Sequence, residues 1–216
     1  MTKYKGVIFD VDGTLTSTNK LIFASFNHIT TKYLNKTFTD EEIISFFGPT
    51  ENVIIKDLIK DNYEEARSDY YDFYRKNHSQ MADTYPGIST LIKKLKEAGA
   101  ILSIYTGKGR ESSEITLQET GIYKYFDMIV SGDDIEGFKP SPEGIEMFLE
   151  KYHLDPEEVI MIGDAPADQK ASRDASVHIA SVLWDSYAKD SGFWKESNHA
   201  FNTVEELSSF LLSSIK

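Results

Sequence analysis

A short apolar run at residues 7–9, typical of a buried strand, leads directly into Asp10 and Asp12. If the alternation of the strand continues, both carboxylates point to the same side, and Gly13 allows a sharp turn beside them. Two carboxylates this close repel each other, so both stay ionised only with a cation between them, or else one keeps a proton. The pair therefore suggests a catalytic site, although acidic residues also end strands and cap turns without any chemistry.

Three further apolar runs are followed by polar residues that complement these aspartates. Thr106 and Gly107 offer a hydroxyl and a backbone N–H at the start of a helix, which is a ready site for an anion. Lys139 follows the next run after a loop, and Asp164 and Asp168 follow the last. Singly, these residues could be a helix N-cap, a solvated loop charge, and a cap with a first-turn acid. Their occurrence together, in order and at strand ends, favours a functional site.

A fold that brings strand ends together is predicted by the sequence from Tyr85 onward. Apolar strands alternate there with amphipathic helices, which indicates right-handed βαβ crossovers and a parallel sheet covered on both faces. The predicted strands cover residues 100–105, 127–130, 159–162 and 177–182, and the predicted helices cover 87–98, 110–120, 141–153, 165–175 and 204–215. In such a doubly wound, Rossmann-like α/β fold, ligands bind beyond the carboxyl ends of the strands.

The stretch between the first strand and Tyr85 has a different pattern. A capping box from Thr39 to Glu42 opens one helix, and we predict no strand between Thr16 and Asp83. The predicted helices cover residues 20–35, 43–47, 51–60 and 63–81. Because the first strand precedes these helices and the other strands follow them, the helices are most simply an insert. The predicted domains are an α/β core of residues 1–15 and 85–216 and an α-helical insert of residues 16–84.

The composition is ordinary for a soluble globular protein, with 40% hydrophobic and 27% charged residues. A formal net charge of −12 argues against nucleic acid as a partner, because phosphate backbones are bound by clustered Lys and Arg. No apolar run approaches the roughly 20 residues of a membrane-spanning helix, and the first residues do not resemble a signal peptide. We therefore expect a cytoplasmic protein without a membrane partner. The absence of cysteine leaves oxygen atoms and histidine as metal ligands.

Residues 9–15, Phe-Asp-Val-Asp-Gly-Thr-Leu, resemble the first motif of the haloacid dehalogenase-like (HAD) hydrolases. Thr106, Lys139 and the pair Asp164 and Asp168 resemble the second, third and fourth motifs of that family, in the family's order. The helical insert resembles the α-helical cap of the branch that includes phosphoglycolate phosphatase and β-phosphoglucomutase. The resemblance covers nearly the whole chain, and its core motifs are specific, whereas the insert is not.

The resemblance implies a role for each motif residue. Asp10 is expected to be the nucleophile that takes a phosphoryl group, and Asp12 to be the general acid and base. The phosphoryl oxygens are expected to be bound by the Thr106 hydroxyl, the backbone N–H of Gly107 and the Lys139 ammonium. Mg²⁺ is the cofactor that the resemblance implies. Its implied ligands are Asp10, the backbone carbonyl of Asp12, Asp164, and Asp168 through water or in support.

The function implied by this resemblance is Mg²⁺-dependent hydrolysis of a small phosphorylated metabolite, a phosphomonoester, through an aspartyl-phosphate. A phosphomutase of the β-phosphoglucomutase type would need a cation in the insert. Residues 48–51, Gly-Pro-Thr-Glu, instead place an acid where mutases of this branch commonly have Arg. A pyrophosphatase and a regulatory protein that binds a phosphate ligand on this core stay open as alternatives. The sequence does not identify the substrate or distinguish a monomer from a homodimer.

Three residues near the motifs have no settled role. Lys108 and Arg110 make the second motif more basic than a hydroxyl site requires, and they either meet the substrate or face solvent. Glu51 either contacts the leaving group or only caps the helix that follows it. The first interpretation would favour neutral or cationic leaving groups over anionic ones. The fourth motif lacks a second acidic residue next to Asp164, so metal binding depends on Asp164 with Asp168 in support.

Overall fold

The computed structural model describes residues 4–184 and 186–215. The first three residues, Asp185 and Lys216 belong to the predicted core and lie outside the described residues. The strands are β1 (Gly6–Phe9), β2 (Thr16–Ser17), β3 (Asp83–Thr84), β4 (Ile101–Tyr105), β5 (Met128–Val130), β6 (Val159–Gly163), β7 (His178–Val182) and β8 (His199–Phe201). The helices are α1 (Asn19–Leu34), α2 (Asp40–Ile44), α3 (Glu51–Ile59), α4 (Tyr63–Met81), α5 (Ile88–Glu97), α6 (Arg110–Glu119), α7 (Glu143–Tyr152), α8 (Pro166–Asp174), α9 (Ser186–Ser191) and α10 (Val204–Ser214). In the described part of the chain, none of these helices has the length and apolar character needed to cross a membrane.

Six strands form one parallel sheet in the order β5-β4-β1-β6-β7-β8. β1 lies in the middle, where Phe9 pairs with Ile104 of β4 and with Ile162 of β6. The chain builds outward from β1 through β4 to β5, and then returns to β6 on the other side of β1. This change of direction opens a crevice at the carboxyl end of β1. The predicted doubly wound α/β fold is confirmed.

β1 alternates between two hydrophobic cores, one on each face of the sheet. Val7 and Phe9 belong to one core, and Ile8 belongs to the other together with Phe148 of α7. All four side chains are fully buried. A strand covered on both faces needs apolar side chains at consecutive positions. β1 ends at Phe9, so the next residue, Asp10, can be polar.

Residues 19–81, which we call the helical segment, form α1 to α4 and pack around a hydrophobic cluster made almost wholly of their own side chains. The rings of Phe26 and Tyr70 lie at its centre, with a centroid separation of 5.0 Å. Ile115 of α6 joins the same cluster, so the helical segment also packs against the helix that follows β4. The predicted division into core and insert stays a prediction, which this separate cluster supports.

Two strands lie where the sequence predicted none. β2 and β3 pair antiparallel, with Thr16 opposite Thr84 and Ser17 opposite Asp83. This two-stranded ribbon falls at the two junctions of the predicted insert. The prediction of no strand from Thr16 to Asp83 was therefore wrong at both ends of the stretch. Strands of two residues are too short to show the alternation from which a strand is predicted.

No element was predicted between Val182 and Val204, where the structure has α9 and β8. β8 is an edge strand of three residues that pairs with β7, with Phe201 opposite Val182. Asn198 and Asn202 flank it, and asparagine is typical of turns. A single alternation between two turn residues gives too weak a signal for a strand.

Candidate active site

The crevice at the carboxyl end of β1 contains every residue that the sequence predicted for the site. Turns and loops that follow β1, β4, β5 and β6 bring these residues together around one cavity of about 530 Å³. The predicted residues that line it are Asp10, Asp12, Thr106, Gly107, Lys139, Asp164 and Asp168. The opposite wall belongs to the helical segment, including Ile22 of α1 and Ile54 of α3. The cavity therefore has one wall made by strand ends and one made by helices.

Three carboxylates form a cluster on the wall of strand ends. Asp10, Asp164 and Asp168 each offer one oxygen, and these oxygens lie within 4.8 Å of one another. Burial, the largest cause, raises the pKa of Asp10 to about 7, while the Lys139 ammonium opposes the rise. Burial also raises the pKa of Asp164, and the Asp10 and Asp168 carboxylates add to that effect. Buried oxygen donors with this mutual repulsion fit a hard divalent cation, which would stabilise their ionised forms.

Lys139 lies between two members of this cluster. Its ammonium is 2.8 Å from Asp10 Oδ1 and 2.5 Å from Asp168 Oδ1, and its side chain is only 7% exposed. Burial disfavours the ammonium charge, but the Asp10 and Asp168 carboxylates outweigh burial and raise the pKa of Lys139. The other Asp168 oxygen accepts a hydrogen bond of 3.1 Å from the backbone N–H of Ala165. Asp168 therefore fixes the Lys139 ammonium beside Asp10.

The side chain of Asp12 is not part of the three-carboxylate cluster. One Asp12 oxygen accepts a short hydrogen bond from the hydroxyl of Thr18, just before α1. The other oxygen lies 3.1 Å from the ammonium of Lys108. Asp10 and Asp12, which are two positions apart in the motif, thus have different surroundings, as two carboxylates with different roles require.

Gly13 and Thr14 hold Asp164 close to the end of β1. Gly13 has a φ of +81°, and a Cβ at this position would lie 2.2 Å from Asp164 Oδ2. Glycine is therefore needed here both for its backbone conformation and for the close approach of the carboxylate. The hydroxyl of Thr14 donates a hydrogen bond of 2.8 Å to Asp164 Oδ1. The first motif thus positions the acid of the fourth motif.

The loop after β4 is fixed by the loop after β5. The buried hydroxyl of Thr106 accepts a hydrogen bond of 3.3 Å from the backbone N–H of Lys108. The backbone N–H of Gly132 donates to the Lys108 carbonyl at 2.9 Å. A Cβ on Gly132 would lie 2.7 Å from the carbonyl oxygen of Gly107, so the two loops are in close contact. This contact holds Thr106 and Gly107 at the cavity.

Lys108 is a buried residue of the cavity, so it does not face solvent, which was one of the two possibilities that the sequence left open. Its ammonium lies between the Asp12 carboxylate at 3.1 Å and the Glu51 carboxylate at 3.5 Å. It also lies over the ring of Tyr74, 4.9 Å from the centroid. Burial disfavours its charge, but Asp12, Tyr74 and Glu51 together raise the pKa of Lys108. Lys108 therefore stays an ammonium, and it already contacts two acidic side chains.

Glu51 is the first residue of α3, yet its carboxylate caps α6. It accepts hydrogen bonds of 2.6 Å from the backbone N–H of Gly109 and 2.6 Å from the hydroxyl of Ser112. Unpaired N–H groups and the positive end of the helix dipole favour an anion at this position. Glu51 is 6% exposed, so the contact is buried. Neither sequence interpretation of Glu51 included this contact between the helical segment and α6.

One sequence signal could have pointed to that contact. Gly109 is the N-cap residue of α6 and has no side chain with which to cap the helix. The N-terminus of α6 therefore needed an acceptor from elsewhere, but the sequence does not identify Glu51 as that acceptor.

Arg110, the other basic residue of the motif, does not line the cavity and pairs with Asp134.

Comparison with known proteins places the chain in a family. A model of the haloacid dehalogenase-like hydrolases matches residues 7–182. A protein of Bacillus cereus (strain G9842) named pyrophosphatase PpaX is 33% identical over 178 residues, which cover 82% of this chain and 82% of that protein. The structure of a putative β-phosphoglucomutase from Thermotoga maritima has a TM-score of 0.74 and 25% identity, and covers 98% of this chain and 100% of its own. The structure of a predicted phosphoglycolate phosphatase from Haemophilus somnus has a TM-score of 0.82 and 19% identity. The match covers 97% of this chain and 99% of that chain.

The chain belongs to the haloacid dehalogenase-like hydrolase family, because the family model matches well over half of its residues. The family predicted from the motifs is confirmed, and so is the prediction that the chain is a hydrolase. The fold shared with a predicted phosphoglycolate phosphatase and a putative β-phosphoglucomutase agrees with the predicted branch. The roles of the individual site residues stay predictions.

Gly13→Ala should disrupt the carboxylate cluster, because the new Cβ would collide with Asp164 and the backbone would be strained. We expect urea unfolding to show a loss of about 3 to 5 kcal/mol. The matched control is Gly121→Ala, since Gly121 has a φ of +73° and open space around a Cβ. This control should show only backbone strain, about 1 to 2 kcal/mol. Equal losses in the two variants would contradict the proposed collision.

Asp10→Asn should stabilise the metal-free protein increasingly as pH rises. Because burial raises the pKa of Asp10 from 3.8 to about 7, the folded state keeps a proton that the unfolded chain has lost between these pH values. The stability contributed by this group therefore falls as pH rises through that window. We expect the variant to match the wild type near pH 4 and to exceed it by about 2 to 4 kcal/mol at pH 8 in EDTA.

Urea unfolding at several pH values measures this difference. The control is Asp57→Asn, which makes the same change at an exposed position and should show no growing advantage. A variant that is less stable than the wild type at pH 8 would show that the ionised Asp10 is stabilised by its surroundings, against our prediction.

Proposed function

We propose that the protein is a Mg²⁺-dependent phosphatase that hydrolyses a small phosphomonoester through a covalent aspartyl-phosphate on Asp10. The observation that carries this proposal is the separation of the two aspartates after β1. Asp10 lies in the three-carboxylate cluster and accepts a hydrogen bond from Lys139, whereas Asp12 lies outside it, against Thr18 and Lys108. One carboxylate is thus available for nucleophilic attack and the other for proton transfer.

The charges around the cavity support a metal cofactor. Five carboxylates line it, and among the described residues only two ammonium groups do, those of Lys108 and Lys139. This excess of negative charge would repel a phosphate dianion, whereas a divalent cation would offset most of it locally. Oxygen ligands alone favour Mg²⁺, which would supply Lewis-acid stabilisation of the phosphoryl oxygens when bound. The proposed ligands are Asp10, the Asp12 backbone carbonyl, Asp164 and, in support, Asp168.

The proposed reaction has two steps. First, an Asp10 oxygen bonds to phosphorus as the bond from phosphorus to the leaving oxygen breaks, and Asp12 in its acid form donates a proton to that oxygen. Then Asp12, now ionised, takes a proton from a water molecule whose oxygen bonds to phosphorus. The bond between the Asp10 oxygen and phosphorus breaks at the same time, which releases phosphate and restores the Asp10 carboxylate. Each step returns Asp12 to the form that the other step needs.

Lys139 and Thr106 are proposed to hold the phosphoryl group during both steps. The Lys139 ammonium is already beside the nucleophilic carboxylate, so it would lie next to the phosphoryl oxygens as the new bond forms. The Thr106 hydroxyl and the Gly107 N–H would bind the oxygens on the side of β4. Asp168 serves as a positioning residue for Lys139, in addition to supporting the metal.

We infer that residues 16–84 form a cap over the site, as the branch resemblance implies. The apolar residues of α1 to α3 that line the wall opposite the strand ends support this inference. The short ribbon of β2 and β3 would connect the cap to the core. A covering segment of this kind excludes water until the substrate is bound. The predicted cytoplasmic location and the choice between monomer and homodimer stay predictions.

Pyrophosphate hydrolysis is the second candidate function, because a relative 33% identical is named a pyrophosphatase. The chemistry at Asp10 would be the same, with phosphate as the leaving group. A phosphomutase has less support: among the described residues of the helical segment that line the cavity, none is Lys or Arg, and a mutase must hold a second phosphate there. A regulatory protein without activity is disfavoured because all the catalytic residue types are present.

Asp10→Asn should abolish hydrolysis of every phosphomonoester that the wild type accepts, because the variant has no nucleophile and loses a metal ligand. We expect less than about a hundredth of the wild-type kcat. The measurement is phosphate release over a panel of phosphomonoesters with Mg²⁺, and the same panel in EDTA should show no turnover. Asp57→Asn serves as the surface control and should keep full activity. Activity of the wild type in EDTA, or of Asp10→Asn with Mg²⁺, would contradict the proposal.

Asp12→Asn should slow the hydrolysis of alkyl phosphates more than that of p-nitrophenyl phosphate. An alkoxide needs a proton to leave, whereas p-nitrophenolate leaves without one. We expect kcat/KM to fall at least about tenfold further for an alkyl ester than for p-nitrophenyl phosphate. Thr106→Val is the control, because it removes a contact to the phosphoryl group and should slow both esters alike. Equal losses for both esters in Asp12→Asn would mean that Asp12 is not the acid.

A further inference from the structure

The two walls of the cavity differ in chemistry. The wall of strand ends carries the cluster of carboxylates and Lys139, whereas the wall of the helical segment is apolar. The apolar side chains on that wall are Ile22, Phe26, Ile44, Phe47, Pro49 and Ile54. A phosphoryl group held at Asp10 would direct the rest of the substrate toward these side chains. The leaving group would therefore meet hydrocarbon surface.

The apolar wall is partly exposed. Ile44 is 46% exposed and Phe47 is 45% exposed, and the Phe47 ring is flanked on one side by Phe23 at a centroid distance of 6.3 Å. Exposed apolar groups inside a concave cavity are typical of a surface that binds a ligand. Burying these side chains against an apolar leaving group would stabilise the complex, because it removes their surface from water.

The polar groups on this side of the cavity do not offer a free cation. Among the described residues of the helical segment that line the cavity, only Asn19 and Glu51 have polar side chains. The Glu51 carboxylate is already bound to the Gly109 N–H and the Ser112 hydroxyl. An anionic leaving group would lose its hydration against this wall without gaining an ion pair.

The two lysines of the cavity do not change this conclusion. Lys139 contacts Asp10 and Asp168, at the position proposed for the transferred phosphoryl group. The Lys108 ammonium is already in contact with Asp12 and Glu51. A second phosphate or a carboxylate on the substrate would have to displace one of these carboxylates from Lys108, and it would also meet their repulsion.

We propose that the site accepts phosphomonoesters whose leaving group is uncharged and largely apolar, in preference to pyrophosphate, bisphosphates and carboxylate-bearing phosphoesters. This inference rests on the proposed function and specifies its substrate class. The cavity of about 530 Å³ also lies within the range of about 300 to 1,000 Å³ typical of small-molecule sites. A leaving group with a ring or a branched aliphatic chain would fill this space.

The first test compares two esters with the same leaving chemistry, 2-phenylethyl phosphate and 2-(4-carboxyphenyl)ethyl phosphate. The carboxyl group of the second ester is insulated from the ester oxygen, so a difference in kcat/KM between the two esters reports binding of the leaving group. With saturating Mg²⁺, we expect the uncharged ester to exceed the carboxylated one by at least about tenfold, and pyrophosphate to be poorer still. Equal or higher kcat/KM for the carboxylated ester or for pyrophosphate would overturn the inference.

The second test changes the wall. Ile44→Lys adds an ammonium at an exposed position of α2, and we expect the ratio between the two esters to fall at least about tenfold. Leu34→Lys is the matched control, because Leu34 is a 40% exposed apolar residue that does not line the cavity. The control should keep the wild-type ratio. An unchanged ratio in a folded Ile44→Lys protein, checked by thermal unfolding, would show that this wall does not contact the leaving group.

Phe47→Ser provides a second variant of the wall if Ile44→Lys does not fold. It removes apolar surface, so KM for 2-phenylethyl phosphate should rise at least about fivefold with kcat nearly unchanged. An unchanged KM would count against the inference. Different results would overturn the proposed function and the proposed substrate class. If the folded wild type with Mg²⁺ hydrolyses no phosphomonoester, the proposed function fails. If turnover depends on Asp10 but favours anionic leaving groups, only the substrate class is wrong.

Discussion

The site depends on one constraint, a carboxylate held in a buried position at the end of the central strand. The backbone N–H of Asp10 donates to the Ile162 carbonyl at 2.9 Å, so the hydrogen bonding that joins β1 to β6 continues into this residue. Burial raises the pKa of the Asp10 carboxyl, which means that the ionised form is not stabilised by the position itself. Packing of the sheet therefore keeps Asp10 where electrostatics alone would not place it. The Lys139 ammonium opposes this rise in pKa, and the proposed cation would favour the ionised form further.

The general acid and base of the proposed reaction depends on a second set of contacts, which crosses between the two walls. Asp12 binds the Thr18 hydroxyl on one side and the Lys108 ammonium on the other. Lys108 in turn contacts Glu51 of the helical segment. The surroundings of Asp12 are therefore complete only when the helical segment is docked against α6. The position of this segment and the environment of the acid are linked by direct contacts, with Glu51 at the junction.

The sequence predicted five of the six strands of the sheet and the motif residues, because both depend on local patterns. A strand buried on both faces must be a continuous apolar run, and residues that follow parallel strands must meet at one edge of the sheet. The partners of Lys108 and Glu51 could not be predicted in this way. Their contact joins residues 57 positions apart on a loop and a helix, and no periodic pattern relates them. The ribbon of β2 and β3 was missed for a related reason, since two-residue strands depend on tertiary pairing.

The two walls also differ in how much change they can accommodate. Acidic side chains of the cluster on the wall of strand ends pack directly against glycine residues. A Cβ at Gly163 would lie 2.4 Å from the carboxyl carbon of Asp168, and one at Gly13 would lie 2.2 Å from an Asp164 oxygen. Ile44 and Phe47 on the helical segment, by contrast, are 46% and 45% exposed. The close contacts restrict substitution where the phosphoryl chemistry is proposed, whereas the exposed side chains on the wall of the helical segment can change without displacing a carboxylate of the cluster.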